Sequence, residues 1–145
     1  MAAHPLGHLV GARFPGGEYS LAGYENWLAH DALYSVPRAE PHPVVAFIGA
    51  QQGMGMTVAE LFEWLDSDID DGPLLAQCQM EFPQALEIGQ RYWVSGVVRS
   101  IERKHGRSLG VFDLVTCVFH LSDENGEVAA SITNTYAITR AGEAV

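Results

Sequence analysis

The sequence predicts an α+β fold in which long antiparallel strands wrap around one buried, glycine-rich helix. The segment 43–55, PVVAFIGAQQGMG, is almost entirely apolar and carries no charged residue. The second half of the chain consists of strand-like segments separated by turn residues, and the last three are each about a dozen residues long, against a usual length of roughly 5–6. Strands of this length must curl in a small domain, and we expect the segment 43–55 to occupy the space that the curled sheet encloses.

The composition favours a single soluble domain over residues 1–145, with residues 1–17, rich in Gly and Pro, as an extended lead-in. The formal net charge is −10 with only 8 Lys plus Arg, which argues against nucleic acid and anionic membrane surfaces as partners. The first ten residues have neither a basic region nor a long apolar stretch. We therefore expect no signal peptide, no membrane span and a cytoplasmic location.

The first half of the chain predicts a short strand at 18–21 and an amphipathic helix at 24–33, followed by a loop at 36–43 that contains three prolines. In the helix, Tyr24, Trp27, Leu28 and Asp31 fall on one stripe at helical spacing. Pro43 suits the first turn of the next helix. In that helix we expect the large side chains, Val44, Phe47 and Ile48, to be buried under the sheet.

A capping box at 57–60 predicts one more helix, with apolar positions up to residue 65. Strands are then predicted at 74–82, 91–102, 109–121 and 128–139, with turns at 87–90 and 104–107 and an Asn-Gly hairpin turn at 125–126. Cys78 and Cys117 lie inside these strands and are expected to be small buried hydrophobes rather than a disulfide.

The strand 109–121 is largely apolar on both of its alternating faces. A one-sided antiparallel sheet in water would instead alternate apolar with polar residues. Since the central helix covers only one face, we expect the other to meet a second subunit. A homodimer is the default by symmetry, although a related heterologous chain would bury the same surface.

One long apolar helix followed by a meander of long strands resembles the hotdog fold, and within it the MaoC-like acyl-CoA hydratases and dehydratases. The resemblance covers roughly residues 9–140. It is carried by the stretch Glu81-Phe82-Pro83, by Glu87-Ile88-Gly89-Gln90 before the second long strand, and by Asn125-Gly126-Glu127-Val128 before the last.

The catalytic motif of that family is Gly-Asp-x-Asn-Pro-x-His, whose Asp and His act jointly on a water or a hydroxyl. The nearest counterpart here is the segment 30–36, HDALYSV, in which Asp31 matches the Asp. Val36 stands where the His belongs, and the Asn-Pro pair is absent. His42 lies eleven residues after Asp31, so a different loop would have to bring it into similar space.

The resemblance implies a catalytic pair of Asp31 and His42 near the start of the central helix. Hydration of an enoyl thioester needs a base for the water and an acid for the α-carbon. Backbone N–H groups at a helix N-terminus would polarise the thioester carbonyl. Gln51, Gln52 and Gly49 are expected to line the substrate site, because glycine permits close approach and a buried amide needs a partner. A subunit interface is the alternative partner for one of the two glutamines.

The predicted function is therefore a hydratase or dehydratase of 3-hydroxyacyl or enoyl thioesters, carried on CoA or an acyl carrier protein, in fatty acid or polyketide metabolism. Because the motif is degraded, the alternative is a non-catalytic hotdog subunit that pairs with a competent homologue. A thioesterase is the third option, disfavoured since 44–55 contains no Asp or Glu. No cofactor is expected, and no metal site, because the histidines lack ligand spacing.

Overall fold

The fold comes from a computed structural model, which describes residues 4–36, 40–108 and 110–140. In chain order its strands and helices are β1 (Gly17–Ser20), α1 (Gly23–Ala32), α2 (Val44–Gly53), α3 (Val58–Trp64), β2 (Leu74–Glu81), β3 (Arg91–Gly106), β4 (Gly110–Ser122) and β5 (Val128–Thr139). These bounds confirm the predicted order of elements, and β5 has the predicted limits.

The strands form one five-stranded antiparallel sheet in the order β1-β3-β4-β5-β2. Hairpins join β3 to β4 and β4 to β5, whereas β2 pairs with β5 at the far edge. One row across the sheet runs from Val98 through Cys117 and Asn134 to Cys78. The expected curled antiparallel sheet around a central helix is confirmed.

Helix α2 packs on the sheet through its small residues. Its buried positions are Val45, Ala46, Gly49, Ala50 and Gly53. Val44, Phe47 and Ile48, which were expected to be buried under the sheet, are only partly buried, although Val44 and Phe47 pack against the core. A Cβ on Gly49 would lie 2.6 Å from Cδ2 of Tyr19. The sheet thus approaches the helix backbone so closely that only small residues fit between them.

Three local features depart from the predictions in their detail. Pro43 is the N-cap of α2 rather than a residue of its first turn. The residues predicted to turn at 104–107 continue β3 up to Gly106, so this strand has 16 residues. The lead-in contains a short 3-10 turn, Gly7–Leu9, and Arg13 forms a bridge to Val97 beside β1. Residues 37–39 of the predicted loop and Leu109 lie outside the described residues.

A buried carboxylate joins four parts of the chain. Asp113 in β4 is fully buried and accepts hydrogen bonds from Arg103 Nε at 3.0 Å and Arg140 Nε at 2.9 Å. His4 Nε2 lies 2.9 Å from the same carboxylate. Arg140 also donates to the carbonyls of Leu65 and Asp66 after α3. Three basic side chains, two of them from the ends of the described chain, therefore converge on one acid.

The outer face of the sheet contains one row of polar residues beside the partly buried Leu114 and Val118 of β4. Ser95, His120 and Ser131 lie in one row across β3, β4 and β5, and His120 Nδ1 is 2.9 Å from Ser131 Oγ. Within the described residues, no helix is long and apolar enough to cross a membrane. The exposed large apolar side chains include Tyr24, Trp27 and Tyr34 in and after α1, Leu74 in β2 and Trp93 in β3.

Candidate functional site

The segment between α1 and α2, residues 40–43, is fixed by two polar side chains that α1 buries beneath it. Asn26 is only 1% exposed. Its Nδ2 donates to the carbonyl of Glu40 at 3.1 Å, and its Oδ1 accepts from the backbone N–H of His42 at 2.9 Å. One amide thus holds the backbone before and after Pro41, which cannot donate a hydrogen bond itself.

His30 is the second anchor and is 4% exposed. Its Nε2 lies 2.9 Å from the carbonyl oxygen of Glu40. A carbonyl can only accept, so Nε2 must carry a proton. Its Nδ1 lies 3.0 Å from Ser35 Oγ, and in the neutral ring this nitrogen accepts the Ser35 hydroxyl proton. The chain after α1 therefore fixes the tautomer of His30.

His42 stands at the start of α2 and faces His30 edge-on, with the ring centroids 5.1 Å apart and the planes at 81°. Its Nδ1 accepts a hydrogen bond from the backbone N–H of Val44 at 3.1 Å. The neutral His42 ring must therefore carry its proton on Nε2. In that state Nε2 is a donor, and no basic nitrogen is left free on this ring.

The cavity beside His42 has a volume of about 380 Å³, near the lower end of the range for small-molecule sites. It is lined by Glu40, Pro41, His42, Pro43, Phe82, Ala85 and Leu86. Phe82 and Leu86 come from the segment after β2, so the loop between α1 and α2 meets the end of an edge strand here. The walls are mainly apolar, with one imidazole and one acidic residue.

Asp31 lies on a different side of α1 from the cavity loop. It is exposed in the last turn of the helix, and it is not among the described residues that line the cavity. Successive residues on a helix point about 100° apart. Asp31 therefore leaves the helix in another direction from its neighbour His30, which is the residue that contacts His42. The pairing of Asp31 with His42 stays a prediction.

The three expected substrate-binding residues of α2 occupy different environments. Gly49 is buried against the sheet, and Gln52 is exposed. Gln51 Nε2 donates to the hydroxyl of Tyr136 in β5 at 3.2 Å, whereas its buried Oε1 has no hydrogen-bond partner among the described residues. None of the three is among the described lining of the cavity at His42. Their role in binding also stays a prediction.

Asn26 and His30 were not predicted as the side chains that hold residues 40–43. Their spacing of four residues, which places both on one face of a helix, was the available signal. The more apolar stripe on the opposite side obscured it.

Among the described residues no group of His, Cys, Asp or Glu is arranged to hold a metal ion. Both cysteines are free, and burial raises the pKa of the Cys117 thiol to about 12.

Replacing Asn26 by Ala should release the backbone of residues 40–43. The carbonyl of Glu40 and the N–H of His42 would both lose a buried partner, at a cost of about 1–2 kcal/mol in the free energy of unfolding. Hydrogen exchange at the His42 amide should become faster. Asn125→Ala in the exposed hairpin turn is the control and should change neither quantity. Unchanged His42 exchange in Asn26→Ala would show that this amide does not hold the loop.

Comparison with solved structures places the chain among proteins of one fold. The HadBC (3R-hydroxyacyl-ACP dehydratase) complex from Mycobacterium tuberculosis matches with a TM-score of 0.69 and 13% identity, over 89% of this chain and 96% of that chain. A MaoC-like dehydratase from Rhodospirillum rubrum matches with a TM-score of 0.53 and 18% identity, over 92% of this chain and 94% of that one.

A thioesterase from Thermus thermophilus, solved with coenzyme A and zinc, also matches, with a TM-score of 0.57 and 13% identity, over 90% of this chain and 83% of that chain. No family model matches the sequence, and no curated protein matches it either. At such low identities the structural likeness establishes the fold, and it is shared by dehydratases and thioesterases. The resemblance to MaoC-like proteins seen in the sequence is thus supported, and the chain has the hotdog fold.

Proposed function

We propose that this chain is a non-catalytic hotdog subunit of an acyl-thioester hydratase or dehydratase and pairs with a homologous, catalytically competent hotdog chain. The proposal rests on the hydrogen bonds made by the backbone N–H groups in the first turn of α2. The N–H of Val44 donates to His42 Nδ1, that of Val45 to the carbonyl of His42, and that of Ala46 to the carbonyl of Pro43. These donors, which would have to polarise a thioester carbonyl, are already occupied.

The acid–base groups support the same conclusion. Hydration requires one group that takes a proton from water and one that protonates the α-carbon. In the neutral state the Nδ1 lone pair of His42 is engaged by Val44, and Asp31 is exposed away from the cavity loop. The mainly apolar cavity suits the wall of an acyl-binding site. We infer that the partner supplies the reactive pair and that this chain helps to enclose the acyl group.

A self-sufficient hydratase is the second candidate, because His42 and Glu40 line the same cavity. In such an enzyme a protonated His42 would be the acid, which requires Nδ1 to give up its hydrogen bond from Val44, and Glu40 or Asp31 would have to be the base. The dehydratase HadBC, to which this chain is similar, is a complex, which favours the paired arrangement over this one.

Turnover of enoyl-CoA substrates separates the two candidates. The chain should be purified alone and also co-expressed with hotdog chains from the same organism that contain the complete Gly-Asp-x-Asn-Pro-x-His motif. Hydration is followed by the loss of enone absorbance for short and long acyl chains. We expect no turnover by the chain alone, and turnover by the pair above that of the partner alone.

His42→Ala is the decisive variant of the isolated chain. Turnover by the isolated chain that His42→Ala abolishes would establish a self-sufficient enzyme and refute the paired proposal. A purified pair that hydrates no faster than the partner alone would refute it as well, since this chain would then add nothing to the acyl site.

A further inference from the structure

Helix α1 has its polar side chains inside and its apolar side chains outside. The inner face carries Asn26 and His30, both buried. On the outer face Tyr24 is 70% exposed, Trp27 52% and Leu28 53%. In a helix that packs only within its own domain the apolar stripe faces the core. The outer stripe of α1 is therefore built to be covered by something else.

The apolar surface continues beyond the end of the helix through Leu33, Tyr34 and Val36, which are all exposed. Tyr34 is 99% exposed and has a φ of 57°, a conformation that a bulky residue rarely adopts. The turn that holds it is closed by hydrogen bonds from Tyr34 N to the Asp31 carbonyl and from Ser35 N to the His30 carbonyl. The chain is thus fixed in a form that presents an aromatic ring to the outside.

We call these six side chains the α1 face: Tyr24, Trp27, Leu28, Leu33, Tyr34 and Val36. We multiply the exposed fraction of each side chain by the usual surface area of that side chain. The sum is on the order of 700 Å² of mainly apolar surface. Each partner in a standard protein–protein interface buries about 800 Å². The α1 face alone supplies most of the area that one side of a stable interface needs.

Charge indicates what kind of partner fits. Asp31 belongs to the same stripe as Tyr24, Trp27 and Leu28 and is exposed, and residues 23–36 contain no Lys or Arg. An anionic membrane surface would repel this face. In a twofold homodimer this face would meet a second copy of itself, which brings the same carboxylate and no Lys or Arg from residues 23–36, within chains of net charge −10. A non-identical chain with a cation opposite Asp31 avoids both penalties.

We propose that the α1 face docks on a non-identical hotdog chain, which presents an apolar groove and a Lys or Arg opposite Asp31. The partner class rests on the function proposed above, whereas the location of the interface rests on the exposures and charges of α1. Docking on the outer face also fixes the position of α1. The inner face of the same helix carries Asn26 and His30, which hold residues 40–43 at the cavity. Partner binding and the shape of the acyl-site wall are thereby linked through one helix.

Affinity measurements on matched variants test the interface. The probe is the co-expressed hotdog chain with the complete motif, and its affinity for the wild type, Trp27→Asp and Ile69→Asp is measured by titration calorimetry. Ile69 is 50% exposed and lies outside the α1 face, so it matches Trp27 in exposure. We expect Trp27→Asp to weaken binding at least about 30-fold, as the loss of a central tryptophan does, and Ile69→Asp to change it less than about twofold.

Reversal of the charge at Asp31 tests the complementarity. Asp31→Lys should weaken binding by at least about tenfold, and the loss should shrink as salt is raised from about 0.05 to about 0.5 M, since screening weakens repulsion between like charges. Both Trp27 and Asp31 are exposed in the isolated chain, so thermal melting of the variants alone should match the wild type. If a variant has a different melting temperature from the wild type, Leu28→Ser is tested as well. This substitution removes apolar area without adding charge and should also weaken binding.

Three outcomes would overturn the proposal. Equal effects of Trp27→Asp and Ile69→Asp on affinity would place the interface elsewhere. Light scattering that shows a homodimer dissociated by Trp27→Asp would make a second copy the occupant. Binding to phosphatidylglycerol vesicles that Trp27→Asp abolishes would make the occupant a membrane.

If the pair forms through the α1 face without hydratase turnover, only the proposed function fails. If the pair turns over and Trp27→Asp binds normally, only the interface fails.

Discussion

Replacing Asp113 by Ala should lower the free energy of unfolding by about 3–5 kcal/mol, the cost of breaking a buried ion pair on one side. The carboxylate is fully buried, and its removal leaves the guanidinium of Arg140, itself almost completely buried, without a counter-charge. The carbonyls of Leu65 and Asp66 would still accept from Arg140, but they carry no net charge. Urea denaturation followed by circular dichroism gives the change.

Glu102→Ala is the matched control for Asp113→Ala. Glu102 pairs with Lys104 at 3.2 Å, and both side chains are about half exposed. Exposed pairs contribute at most about 1 kcal/mol, so this variant should unfold close to the wild type. Equal destabilisation by the two substitutions would mean that the buried cluster contributes no more than a surface pair.

The same cluster predicts how stability changes in acid. Burial alone would raise the pKa of Asp113, but hydrogen bonds from Arg103, His4 and Arg140 outweigh it and lower the pKa to about 2. Because the folded pKa lies below the unfolded value near 4, the stabilisation is complete above that value and is lost as the pH falls towards 2. Asp113→Asn should remove this part of the acid dependence.

The second large effect is expected at Gly53, the last residue of α2. Alanine is favoured over glycine within a helix by about 1 kcal/mol, which would predict a gain in stability. A Cβ at this position, however, would lie 2.8 Å from Cβ of Val94 on β3 and still closer to one of its methyl groups. Valine is β-branched and stiff, so we expect Gly53→Ala to cost about 3 kcal/mol, near the upper end for overpacking.

A double-mutant cycle identifies the clash at Gly53. Val94→Ala alone should destabilise the chain, because it opens a cavity in the core, yet Gly53→Ala combined with Val94→Ala should be more stable than the sum of the single effects predicts. Gln52→Ala, one position earlier and exposed, is the control and should be neutral or slightly stabilising. Additive effects of Gly53→Ala and Val94→Ala would show that the two residues do not clash.

The sequence predicted the sheet well because its signals are local. The hairpin turn at 125–126 and the alternation of residues set the limits of β5, and the capping box marked α3, where Thr57 and Glu60 exchange hydrogen bonds. The apolar run in α2 also pointed to a buried helix. What it did not reveal is that Phe47 and Ile48 are not on the fully buried side of α2, which is formed by Val45, Ala46, Gly49, Ala50 and Gly53. A helix that is apolar all round has no period from which its inward side can be read.

The site was harder to predict because its contacts join distant or ambiguous positions. The helical periodicity of α1 identified its apolar stripe. It did not show that Asn26 and His30, on the opposite side, face inward, because their burial depends on hydrogen bonds to the backbone of residues 40–42. The placement of His42 at a cavity required the fold of the loop before α2. Asp113 is an acid in an apolar strand, and its partners lie 10, 27 and 109 positions away in the sequence, beyond any local pattern.

The Asp113 cluster brings the two ends of the described chain together. His4 Nε2 and Arg140 Nε each lie 2.9 Å from an oxygen of the same carboxylate, so residues 4 and 140 are neighbours in space. A short flexible linker from residue 140 to residue 4 would therefore not need to cross the molecule. The fold is suited to circular permutation, with new ends in an exposed turn such as 124–126. Such a chain would keep every strand pairing and would lose only the covalent turn between β4 and β5.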